Sequence, residues 1–170
     1  MNKFKNYLYT NGKWIGEGSS RVAYELGDRV YKIPYRSLGV VQSMNEQRLY
    51  TLMKDKFEAV FPTPQFHSNG VVSLDKVQLI DELIGSWSDS ALEEIVEQEL
   101  VPYDNVQFFL EFAREAEKIG ASLDDLIANG ANIGVQSGLI KVIDWGYTNA
   151  KSVFEFRQQI ISSNHYTHSL

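Results

Sequence analysis

The chain has 170 residues, 44% of them hydrophobic and 22% charged, with a formal net charge of -6 and no cysteine. One domain of that length buries about 70% of its unfolded surface, so a core needs neither disulfides nor a structural metal. The composition argues against disorder, the acidic balance against an electrostatic grip on nucleic acid, and no apolar run approaches the roughly 18 residues of a membrane span.

The N-terminal "MNKFKNYLYT" lacks the apolar stretch of a signal peptide, and a cysteine-free chain fits a reducing compartment, so the expectation is a soluble cytoplasmic protein. "KNYLYTNGKWIG", residues 5–16, carries a "TNGK" turn, and "RVAYELGDRVYKIP", residues 21–34, sets strand-like runs on either side of Gly27 and Asp28. Two hairpin signals thus precede any helix. From Val40 to Phe57 the periodicity is helical, with Glu46, Tyr50, Met53 and Phe57 on one face. A carboxylate on that apolar stripe is costly to bury unless a cation meets it. "QFHSNGVVSL" and "KVQLIDELI" read as two further strands, for a sheet of about five.

Residues 89–100 are acidic and read as helical, and "DNVQFFLEFAREAEKIG" reads as a second long helix running from an Asp104 N-cap to Gly120. "GANIGVQSGLIKVIDWGY", residues 130–147, reads as a hairpin of two apolar strands with Asn132 at its entrance and Asp144 at its exit. Beyond it, "SVFEFRQQII" supplies one amphipathic helix and "SSNHYTHSL" a frayed tail. No internal repeat, low-complexity run or linker interrupts the chain.

Each motif has an ordinary structural reading beside a functional one. Gly16 and Gly18 in "IGEGSSRVAY" would let backbone amides approach phosphates, yet Gly-x-Gly also serves common turns. Lys32 in "VYKI" is either the outward residue of an alternating strand or the partner of Glu46, 14 residues on, a separation that fits a strand, a turn and two turns of helix. An Asn carbonyl and an Asp carboxylate at the ends of one hairpin are either turn residues or hard oxygen ligands for a divalent ion.

In their order along the chain, these motifs resemble those of the protein-kinase superfamily. "IGEGSSRVAY" is similar to its glycine-rich loop, "VYKI" to its phosphate-pairing strand, Glu46 to the helical partner of that lysine, and "DWG" to its Asp-Phe-Gly. The resemblance runs from about Trp14 to Tyr147. It implies an α+β fold in a single kinase-like domain, with an N-terminal antiparallel sheet and one helix over about residues 1–82. "DELIG" then leads into a reduced helical C-terminal lobe over about residues 83–170. It further implies ATP and Mg as cofactors, with nucleotide binding by Gly16, Gly18, Lys32, Glu46 and Glu82, and metal binding by Asn132 and Asp144.

Three departures limit the resemblance. Arg21 stands at the third glycine of the loop pattern. The family's catalytic Asp lies five residues before the metal-binding Asn, and here that position is Ile127. A loop longer by two residues brings Asp125 to the acceptor, whereas Asp124 and Asn129 restore the interval but take Asn129 out of register with the hairpin; "DD" is also an ordinary cap or turn. No Ala-Pro-Glu motif follows Asp144, and the remaining sequence is short for a peptide-binding lobe, a trimming similar to that of kinase-like proteins of bacteria and their viruses.

Two functions follow as expectations. One is a minimal kinase that binds Mg-ATP and transfers a phosphoryl group to a protein or small-molecule hydroxyl, with Asp125 or Asp124 orienting the acceptor. The other is a catalytically inactive kinase-like module that engages or inhibits a protein partner. His67, His165 and His168 lack the spacing of a zinc site, and Ser19 and Ser20 do not form a nucleophile elbow.

Overall fold

The computed structural model describes residues 3–85, 90–122, 126–127 and 130–146. The chain opens with helix α1 (Lys3–Asn11), followed by strands β1 (Lys13–Glu17), β2 (Arg21–Leu26) and β3 (Arg29–Pro34). Helix α2 (Ser37–Phe57) comes next, and then the short β4 (Gln65–Phe66) and β5 (Val72–Asp75). These strands form one antiparallel sheet in the order β1-β2-β3-β5-β4. The second half contains β6 (Gln78–Leu79), helices α3 (Ile80–Ile84), α4 (Ala91–Glu97) and α5 (Tyr103–Lys118), and the hairpin β7 (Ile133–Gln136) and β8 (Leu139–Val142). Strands β6, β7 and β8 form a three-stranded sheet.

Strand alternation divides the larger sheet into two faces with different chemistry. Val22, Tyr24, Tyr31 and Ile33 share one face through the pairs Val22↔Ile33 and Tyr24↔Tyr31. Helix α1 covers it by setting Leu8 against Ile33 and Val71, all three fully buried. The opposite face carries Ala23, Val30, Lys32, Val72 and Leu74, in the register Ala23↔Lys32↔Val72 and Val30↔Leu74. Val72 and Leu74 join the main core, in which Phe57, Phe61, Phe109, Phe112 and Trp145 meet.

Four expectations change in the structure. Residues 5–11, read as strand, belong to α1, because Phe4 and Leu8 recur at helical spacing and the sheet face beneath them must be covered; tertiary packing overrides the local strand preference. The "TNGK" signal is the exit of that helix, where the Gly12 amide donates to Leu8 O at 2.8 Å. "QFHSNGVVSL" contributes both β4 and β5, whereas "KVQLIDELI" gives the two-residue β6 of the second sheet and then α3. Asp104 lies inside the first turn of α5, and Pro102 takes the N-cap position. The acidic segment is helical over the narrower span of α4. "SVFEFRQQII" and the final "SSNHYTHSL" lie outside the described residues.

Leu8→Ala tests the role of α1. The substitution empties a fully buried site and is expected to cost about 2–5 kcal/mol in urea unfolding without altering the slope. A loss below about 0.5 kcal/mol would show that α1 rests on the sheet without stabilising it.

Candidate functional site

The site begins with strand alternation in β3. Because Tyr31 and Ile33 face α1, Lys32 points to the other face of the sheet, toward α2. There its Nζ donates to Oε1 of Glu46 at 2.8 Å. Glu46 has no exposed surface, so its charge is tolerable only through partners of this kind. Lys32 donates a second hydrogen bond to the carbonyl of Ile143, at the exit of β8, and its Nζ lies 5.5 Å from the ring centroid of Trp145.

Arg21 is the second cation on Glu46. Its Nη2 donates to Oε1 at 3.0 Å, and its Nη1 faces Oε2 at 3.0 Å as an ion pair whose angles fall short of a hydrogen bond. The same Nη2 donates to both oxygens of Asp144, at 2.8 and 2.9 Å, so one nitrogen sits in the fork of that carboxylate. Burial alone would lower the Arg21 pKa; Glu46, and then Asp144, outweigh it and hold the guanidinium protonated more firmly than usual. In the sequence Arg21 stands only as a missing glycine. The available signal was a charged residue where the loop pattern needs a small one; its partners, 25 and 123 residues away, are set by the fold.

Close backbone approach makes this convergence possible. A Cβ on Gly39 would lie 2.4 Å from the Ser20 carbonyl oxygen and 2.9 Å from the Arg21 side chain. One on Gly146 would meet the Gln42 carbonyl oxygen at 3.0 Å and the Glu46 side chain at 3.2 Å. Position 39 therefore needs glycine where α2 touches the loop before β2, and Gly146 sits in a tight contact with α2 after β8. Trp145 fixes that segment, its Nε1 donating to Glu46 O at 2.9 Å and its ring standing edge-on to Phe61. Asn45 donates to Gly146 O at 3.2 Å, and Ser20 donates its hydroxyl to Gln42 Oε1.

These groups form the floor of a cleft of about 920 Å³, with β1 and the glycine loop above it. Gly16, Gly18, Lys32, Glu82, Asn132 and Asp144 all line the cleft, whereas Glu46 lies behind Lys32, shut away from it. A Cβ on Gly16 would meet nothing within 4 Å, and one on Gly18 only Arg21 O at 3.8 Å, so protein packing demands glycine at neither. The Gly18 amide donates to Arg21 O at 2.8 Å, and Gly18 O accepts from the Tyr35 hydroxyl at 2.8 Å. Glu82, on α3, is an exposed residue of the cleft wall. Asn132 and Asp144 adjoin across the β7–β8 hairpin, where Asn132 O accepts from the amides of Ile143 at 2.6 Å and Asp144 at 3.3 Å. Asp124 and Asp125 lie outside the described residues.

The Asp144 carboxylate does not match a divalent-metal ligand. Arg21 Nη2 bridges its two oxygens, the place a chelated ion would take, and Oδ1 also accepts weakly from the Gly146 amide at 3.3 Å. At an effective dielectric of 20, like charges about 4 Å apart repel by about 4 kcal/mol per unit product, so a divalent ion beside the guanidinium meets roughly twice that. With Lys32 and Arg21 against Glu46 and Asp144, the four formal charges balance. No group of three or more His, Cys, Asp or Glu among the described residues could hold a metal ion.

The five-stranded antiparallel sheet, α2 between β3 and β4, the Lys32–Glu46 pair and the hairpin ending in Asp-Trp-Gly make this an α+β fold with an N-terminal antiparallel sheet. No protein-family model and no curated protein matches the chain. Among solved structures, the ADP-bound aminoglycoside phosphotransferase APH(2'')-Ib is similar over 85% of this chain and 71% of its own, at 11% identity and a TM-score of 0.47. The streptomycin–ATP ternary complex of APH(2'')-IIa is similar over 86% and 71%, at 13% identity and a TM-score of 0.44. WbdD is similar over 86% of this chain and 37% of its own, at 18% identity and a TM-score of 0.43. No helix among the described residues is long and apolar enough to cross a membrane.

The charge cluster carries a pH prediction. Burial alone would raise the Asp144 pKa, but Lys32 and Arg21 outweigh it and hold the carboxyl well below the usual range. A depressed folded pKa adds stability that is present above the unfolded value, near pH 4, and is lost as pH falls from there toward the folded value. Unfolding free energy should therefore decline below about pH 4 more steeply in the parent than in Asp144→Asn. Equal slopes in denaturant titrations at successive pH values would show that Asp144 is not held by these cations.

Proposed function

We propose that the cleft binds the phosphates of a nucleoside triphosphate, ATP foremost, and that the chain is a kinase-like phosphotransferase acting on a protein or small-molecule hydroxyl. The observation that carries the reading is Lys32, fixed by the buried Glu46 at 2.8 Å on the cleft wall. Two of its three N–H bonds go to Glu46 and Ile143, and the third, with only the longer 3.7 Å ion pair to Asp144, is suited to a phosphate oxygen. Gly16 and Gly18 add support, since both line the cleft and the open space beside them suits an approaching anion.

Transfer joins the acceptor oxygen to the γ-phosphorus as the bond from that phosphorus to the bridging oxygen breaks, releasing ADP. The hydroxyl proton passes to a base, a role proposed for Asp125 with Asp124 as the neighbouring candidate. The divalent ion implied by the family resemblance enters no step here, because Asp144 is already bridged by Arg21. That same bridge favours a second reading, a kinase-like module whose nucleotide shapes a surface for a protein partner without being consumed.

A thermal-shift titration tests the binding reading. ATP at 100 times its Kd should add about 2.7 kcal/mol to stability, and Lys32→Ala should lose that gain while still melting cooperatively. Absence of any shift at millimolar ATP removes the nucleotide from the function. A labelled γ-phosphate assay then separates the two readings. Transfer that falls by about 10²–10⁴ in Asp125→Ala or Asp124→Ala supports the enzyme. Undiminished ATP binding without transfer supports the module.

A further inference from the structure

Arg21 is a buried cation that meets two acids, Glu46 and Asp144, and its position is unusual in charge terms. It extends from the first residue of β2, directly after the glycine loop, to the acid that closes the β7–β8 hairpin. Its Nη2 is nearly equidistant from the two Asp144 oxygens, 2.8 and 2.9 Å, and also bonds Glu46 at 3.0 Å. The side chain is buried, yet Arg21 borders the cleft beside Lys32, while the Asp144 carboxylate is 28% exposed to it.

A polyphosphate entering this cleft would ordinarily be repelled by an exposed carboxylate, and a divalent ion usually relieves that repulsion. Here a covalently attached cation already neutralises the carboxylate. We propose that Arg21 takes the place of the divalent ion, so that the cleft binds a nucleoside triphosphate without metal. The inference rests on the nucleotide reading above and goes further by naming the charge state of the ligand, a free triphosphate rather than its magnesium complex. Arg21 is the positioning and specificity-determining residue of that choice. Its guanidinium cannot lose its proton in the physiological range, so the neutralisation is permanent. Asp144 is then a tether for Arg21 and not a metal ligand.

The two roles of Asp144 predict opposite results. Isothermal titration of the full chain with ATP is run in EDTA and again in excess Mg²⁺. The parent is expected to bind with affinities within about 3-fold of each other in the two buffers. Asp144→Asn removes the negative charge that faces the ligand while Arg21 stays paired with Glu46, so it should bind ATP in EDTA more tightly than the parent and gain nothing from added Mg²⁺. Arg21→Ala should bind at least about 10-fold more weakly in EDTA and recover affinity when Mg²⁺ is added. If Arg21→Ala fails to fold, as a melting curve would reveal, the parent and Asp144→Asn still decide. Parent binding that appears in Mg²⁺ and falls 10-fold or more in EDTA, with Asp144→Asn losing it, overturns the proposal and leaves the nucleotide reading intact. No binding in either buffer overturns both.

Discussion

Glu46 is a carboxylate without solvent, and it holds its place because Lys32 from β3 and Arg21 from β2 both end on it. Removing either class of partner would leave charge buried without compensation, a change that in proteins typically costs about 3–5 kcal/mol. The constraint acts on three parts of the chain at once. It fixes the rotation of α2, the face of the sheet that looks toward it, and, through Asp144, the exit of the β7–β8 hairpin. Local elements of two sheets thereby share one electrostatic centre.

Around that centre the packing divides by chemistry. Along α2 the buried residues are polar in the first half, with Gln42, Ser43, Asn45 and Glu46, and apolar in the second, with Leu49, Met53 and Phe57. The first half meets the glycine loop and the Asp-Trp-Gly segment, with Gln42 bonded to Ser20, Asn45 to Gly146 O, and the Glu46 carboxylate held by Lys32 and Arg21. The second half joins the aromatic core with Phe61, Phe109 and Phe112. Trp145 belongs to both, since its ring packs on Phe61 while its N–H bonds Glu46 O. On the far side of the sheet, α1 closes a separate small core and leaves the cleft face open.

The cleft that results is chemically specific in what it balances. Lys32 is held by Glu46 and the Ile143 carbonyl with Asp144 Oδ1 3.7 Å away, and the glycine loop leaves space above it. Asp144, the acid of the Asp-Trp-Gly segment, is bridged by an arginine from the other side of the cleft. A fixed monovalent cation differs from a divalent ion in that it cannot leave with the nucleotide and cannot expand its coordination. The balance of charge in this site is therefore a property of the folded chain itself.

Much of this architecture was legible in the sequence because it depends on local pattern. Helical spacing placed Glu46 with Tyr50, Met53 and Phe57, a Gly turn between apolar runs marked the β7–β8 hairpin, and the interval between Lys32 and Glu46 allowed their pairing. The sequence by itself also marked Glu46 as a carboxylate on an apolar stripe that burial would make costly unless a cation met it. Only the tertiary structure decided that there are two cations and that the second is Arg21. The contact from Arg21 to Asp144 joins residues 123 positions apart, and no periodicity or turn rule acts over that distance. The same limit explains α1. Residues 5–11 carry strand-like preferences, and they became helical because the Val22, Tyr24, Tyr31 and Ile33 face required a cover that exists only once β2 and β3 have paired.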